Sequence, residues 1–147
     1  MLVEFQQAFA DLVASPELSF NVRADPSILR ERYQLSDLEW RQLVGIVNSR
    51  GMDCNCMLYR ANRLAPLALN LPEVCKVMGD DLRSTLTFYW TKHPNSDVNF
   101  LVESERFCEF LRGLIADGHT FKNDVRPALE REAAALSLRL EASYNQQ

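Results

Sequence analysis

The sequence is short of nearly everything that builds a chemical centre. It has two histidines, four cysteines and five glycines in 147 residues. His93 and His119 show no ligand spacing, and there is no phosphate loop, nucleophile elbow, His-Glu zinc motif or paired-carboxylate signature. An autonomous enzyme is therefore not expected, nor a metal held by this chain. The cysteines are too sparse for a disulfide scaffold and nothing indicates secretion, so reduced thiols in a cytoplasm are expected. No run of Lys or Arg occurs, and the net charge is −4 with a pI near 5.2, which argues against a domain that gains affinity by neutralising phosphates. No apolar run is long enough to cross a bilayer. Glu4, Gln6, Gln7 and Asp11 interrupt the start where a signal peptide would be apolar. Period-two alternation and fixed-length repeats are also missing, which leaves strands and solenoids without support.

Helical periodicity is what remains. The composition, 47% apolar and 24% charged, is that of an ordinary globular chain of one-domain length. The expected fold is all-α, a single helical domain over 1–147 of seven to eight helices. Its parts are an N-terminal helical part over 1–50, a helical core over 52–116 and a C-terminal amphipathic helix over 120–143. Phe5, Phe9, Leu12 and Val13 give the first helix an apolar face. Ser15-Pro16 and Asp25-Pro26 read as cap and first helical residue. Leu35-Ser36-Asp37-Leu38-Glu39-Trp40 carries a capping box, with Leu35 placed to staple onto Trp40. That helix buries Trp40, Leu43, Val44 and Val47, and Gly51 is expected to end it.

A second set of helices starts near Asp53. Pro66 is expected to kink or split the first of them. Pro72 and Gly79 bracket a short helix, and His93-Pro94 stops the one carrying Leu82, Leu86, Tyr89 and Trp90. Asn95 or Ser96 is expected to cap a long helix bearing Phe100, Phe107, Leu111 and Leu114, ended by Gly118. Leu129, Ala133, Leu136 and Leu140 mark the face of the last one.

Three constellations have both a bland and a functional reading. Cys54-Asn55-Cys56 resembles half a metal site, but residues two apart on a helix point to nearly opposite sides. Free thiols are the bland reading, and a redox or substrate-contact role is the alternative. Asp80-Asp81 reads as a cap with favourable charge at a helix start. Tyr59-Arg60-Ala61-Asn62-Arg63 is the third. If Met57, Leu58, Ala61, Leu64, Ala65 and Ala68 form the buried stripe, then Tyr59, Asn62 and Arg63 face outward with Arg60 at the flank. Guanidinium forks there suit carboxylates, phosphates and peptide carbonyls. On this reading Arg63 can be removed without harm to the fold. His93 either complements a helix dipole or joins a binding surface.

The stretch Leu58 to Leu64, with Leu71-Pro72-Glu73-Val74, Met78-Gly79-Asp80-Asp81-Leu82, Trp90, His93-Pro94 and Phe107-Cys108-Glu109-Phe110-Leu111, resembles a helical family once labelled as DNA-binding. Many of its members are encoded beside multinuclear non-haem iron enzymes with a TIM-barrel fold, and several act as the partner subunit of such an enzyme in ribosomal peptide natural-product pathways. Val13 to Leu43 is similar to the small helical subunit of ring-cleaving dioxygenases and related leader-peptide segments. Together the similarities cover roughly residues 1–113. They imply an accessory, non-catalytic subunit, paired as a heterodimer with an enzyme that holds the iron. The chain would help bind a precursor peptide whose cysteine is oxidatively modified. Tyr59, Arg60, Asn62, Arg63, Trp90 and His93 are the residues expected to meet the partner or peptide. Two other classes stand beside this one: a helical nucleic-acid-binding regulator, and a thiol redox protein using Cys54 or Cys56.

Overall fold

A computed structural model describes residues 2–146. Among them the fold is all-α, with no strand, and no helix is long and apolar enough to cross a membrane. The chain packs as two compact units, residues 1–61 and 62–147, divided inside one helix.

The first unit contains α1 (Leu2–Ala14), α2 (Pro16–Ala24), α3 (Ser27–Arg32), α4 (Asp37–Val47) and the first half of α5 (Arg50–Asn70). Its helix starts are written locally. Ser15 accepts from the Leu18 amide with Pro16 at the first helical position, and the Asp25 carboxylate accepts from the Ser27 amide and hydroxyl. Ser36 and Glu39 complete the expected capping box. Ala8, Leu12, Val22, Leu29, Leu43, Val47, Met52 and Cys56 form the core, with Leu35 and Trp40 packed against it. Gly51 does not end α4. That helix ends at Asn48, and Ser49 donates to Ile46 O (2.6 Å) while accepting from the Met52 amide (3.2 Å). One serine thus closes α4 and caps α5, which leaves Gly51 in the first turn of α5 without positive φ.

The second unit contains the rest of α5, α6 (Pro72–Met78), α7 (Asp81–Lys92), α8 (Phe100–Ala116) and α9 (Arg126–Tyr144). Leu67, Leu71, Val74, Tyr89, Phe107, Leu111, Leu129 and Leu136 lie at its centre. Gly79 (φ +49°) and Gly118 (φ +87°) end α6 and α8 in the conformation that glycine tolerates best. Leu129, Ala133, Leu136 and Leu140 are buried as their spacing predicts. Pro66 does not split α5, which is continuous for 21 residues. Pro66 and Leu67 are both buried, and packing of that face outweighs one lost backbone bond.

Two caps differ from expectation. α8 starts at Asn99, whose side chain accepts from the Leu101 amide (3.0 Å), not at Asn95 or Ser96. Asp80 makes no capping bond to α7, and Asp81 instead accepts from the Lys122 amide (2.8 Å).

Candidate partner-binding site

The buried stripe of α5 is the reverse of the one expected. Met57 and Leu58 are exposed by 71% and 63%, whereas Arg63 is 2% exposed. The inward positions are Met52, Cys56, Arg63, Pro66 and Leu67, with Tyr59 half-buried among them. They follow the 3.6-residue period, so the period is right and only its phase is wrong. Hydrophobicity misled because the inward face carries an arginine and a proline while the outward face carries Met57, Leu58 and Leu69.

The six residues expected to share one surface therefore separate. Tyr59 and Arg60 belong to the first unit, where the Arg60 guanidinium lies 4.8 Å from the centre of the Phe20 ring. Asn62, Arg63, Trp90 and His93 belong to the second, and Asn62 is exposed. Arg63, Trp90 and His93 do come together, around a buried ion pair. One arm of the Arg63 guanidinium donates to Glu103 Oε1 at 2.9 Å, where both side chains are almost fully buried. The other arm donates to the carbonyls of His93 (2.6 Å) and Pro94 (3.3 Å). The same guanidinium lies 5.7 Å from the Tyr89 ring centre and 5.9 Å from that of Trp90. A planar cation over two aromatic rings, its edge bonded to carbonyls and a carboxylate, is arginine chemistry that lysine does not reproduce.

Glu103 joins this site from α8. Its second oxygen accepts from the Asp97 amide at 3.1 Å and lies 3.5 Å from Arg106, which also donates to Asn95 O (3.2 Å). Arg63, Glu103 and Arg106 thus fix the segment His93–Asn99 at four backbone groups. Charge-assisted bonds of this kind are stronger than neutral ones, so the α7–α8 connection is held by side chains where it lacks secondary structure. Next to it, the His93 ring packs on Tyr89 (5.0 Å) and Phe110 (6.1 Å). Burial first, and then the Glu103 charge, push the Tyr89 phenol up to about 12. The buried Arg63 Nε and Trp90 Nε1 have no hydrogen-bond partner.

The cysteines are free thiols. Cys54 is exposed, and Cys56 and Cys108 are buried. Burial raises the Cys56 and Cys75 thiols above their ordinary range and pushes Cys108 up to about 12. A nucleophilic thiol needs the opposite shift, so the redox reading gains nothing at Cys56. Among the described residues no three His, Cys, Asp or Glu side chains are grouped to hold a metal.

The arrangement can order a loop and present its flanks. The chain matches no family model, no curated protein and no solved structure.

Proposed function

We propose that this chain is the non-catalytic partner subunit of a TIM-barrel non-haem iron enzyme. In that role it helps to complete the enzyme's pocket and to hold a ribosomal precursor peptide while a cysteine is oxidatively modified. The specific reaction proposed is removal of the cysteine β-carbon, as in 3-thiaglutamate biosynthesis. One observation supports this reading above the rest. The residues that carry the family resemblance in α5, α7 and α8 converge on one another: Arg63 on His93-Pro94 and Trp90, with Phe107 packed 5.1 Å from Tyr89. A shared pattern whose members build a rigid loop support, with no nucleophile or ligand set, suits a subunit that binds and positions. Iron and oxygen chemistry would lie wholly in the partner, which needs clustered imidazole and carboxylate groups.

The test is reconstitution. The chain is co-expressed with the iron enzyme and precursor peptide, and the peptide mass is followed with and without it. The expected result is a stable heterodimer and loss of peptide modification when this chain is left out. Equal modification without it, or one equivalent of iron bound by this chain alone, refutes the proposal.

A further inference from the structure

The outward stripe of α7 carries two cations and no acid. The chain has 20 acidic and 16 basic residues, yet no Asp or Glu occurs between Asp81 and Asp97. Arg83 and Lys92 flank the outward stripe Ser84, Thr87, Phe88 and Thr91, and all six are exposed. Neither cation has an acidic partner among the described residues. Lys92 lies 5.5 Å from the centre of the Phe88 ring, which is 44% exposed and packs on Phe110 at 5.5 Å.

The stripe is less polar than its sequence suggests. Ser84 donates to Asp81 O (3.1 Å), Thr87 to Arg83 O (3.0 Å) and Thr91 to Thr87 O (2.9 Å). Each hydroxyl proton is spent within the helix, so the methyl groups of both threonines and the Phe88 ring are left to meet a partner. An apolar strip between two unpaired cations is complementary to an apolar strip between carboxylates. Nucleic acid fits less well, because two cations release few counterions and the hydroxyls are already bonded.

We propose that this face of α7 is the docking surface for an acidic, apolar segment of a partner protein, Arg83 and Lys92 meeting its carboxylates and Phe88 its apolar side chain. That the partner is the iron subunit rests on the function proposed above; the chemistry of the segment does not.

The experiment compares wild type with the double variant Arg83→Glu and Lys92→Glu, and with Phe88→Ser as a second probe. Thermal unfolding of each checks the fold. Affinity for the iron subunit is measured, and amide shifts are followed with a short synthetic helix of Leu and Glu and with its Leu and Gln counterpart. The expected result is unchanged folding of the double variant and at least about tenfold weaker binding to the iron subunit. The Glu peptide, not the Gln one, should shift α7 amides. If the wild type binds the iron subunit and the double variant binds equally well, the α7 assignment is overturned and the accessory role stands. If the iron subunit is not bound but the Glu peptide still shifts α7, the accessory role fails and this surface stands. Failure of both refutes both. Tighter α7 binding to duplex DNA than to the peptide, or self-association abolished by the double variant, refutes the occupant.

Discussion

The two units solve the same packing problem with different materials. The core of the first is almost wholly apolar. Among the described residues its one fully buried polar side chain, Ser19, donates to Leu12 O at 2.9 Å. The second buries Arg63, Glu103, Ser104 and Thr85 among its apolar residues. Helix starts differ at one place. In the first unit α2, α3, α4 and α5 are capped by neighbours in sequence, as α8 is by Asn99 in the second, whereas α6 is capped from α9: the Glu132 carboxylate accepts from the amides of Glu73 (2.8 Å) and Val74 (2.9 Å). Loss of one local cap costs a helix about 1 kcal/mol. A unit organised by long-range charged bonds holds its loops in one arrangement and is sensitive to loss of any one partner.

The largest effect should follow from opening the ion cluster. Glu103→Ala leaves Arg63 buried without its carboxylate and frees the Asp97 amide, so the second unit should lose about 3–5 kcal/mol in urea unfolding. Arg63→Ala should be of similar size, which corrects the expectation that it is harmless. The double replacement Arg63→Met with Glu103→Leu should recover part of that stability but not the order of His93–Asn99. Amide exchange in that segment separates the two effects. A loss under about 1 kcal/mol for Glu103→Ala would mean that the cluster is solvated in solution.

Glu132→Ala comes next. It removes acceptors from two amides at the start of α6, a loss of about 1–2 kcal/mol. In the first unit Ser36→Ala should cost about 1 kcal/mol, since only one local cap is lost. If Ser36→Ala proves more costly than Glu132→Ala, the contrast between local and long-range capping is wrong.

The same contrast explains what could be read from the sequence. The all-α class, the capping box at Ser36, the Pro72–Gly79 helix, the stop at His93-Pro94 and the face of α9 follow from signals within a few residues of one another. The inward face of α5 did not, because an arginine there has its partner forty positions away. A signal existed. Arg63 continues the spacing of Met52, Cys56 and Tyr59, and Glu103 lies one turn before Phe107 in the buried stripe of α8. Opposite charges, each at a core position of its own helix, imply a buried pair. The start of α8 departs from its local signal for the same reason. Asn95 and Ser96 are sound caps by type, but Arg106 and Glu103 hold that segment out of the helix.

The smallest effect tests the contrast at two glycines and should change sign between the units. Gly51 lies in the first turn of α5 without positive φ, and a methyl group there meets only Ser49 Oγ, at 3.7 Å, an ordinary contact. Alanine fits that backbone and reduces the freedom of the unfolded chain, so Gly51→Ala should stabilise by about 0.5 kcal/mol. Gly118 also has open space around it, but its φ is +87°, a conformation that costs an L-residue about 1 kcal/mol or more. Gly118→Ala should therefore destabilise, although it creates no clash. Urea midpoints of the two variants, taken at constant m-value, decide the matter. Stabilisation at both positions would mean that the turn after α8 relaxes readily. Destabilisation at both would return Gly51 to the helix-ending role that its sequence suggested.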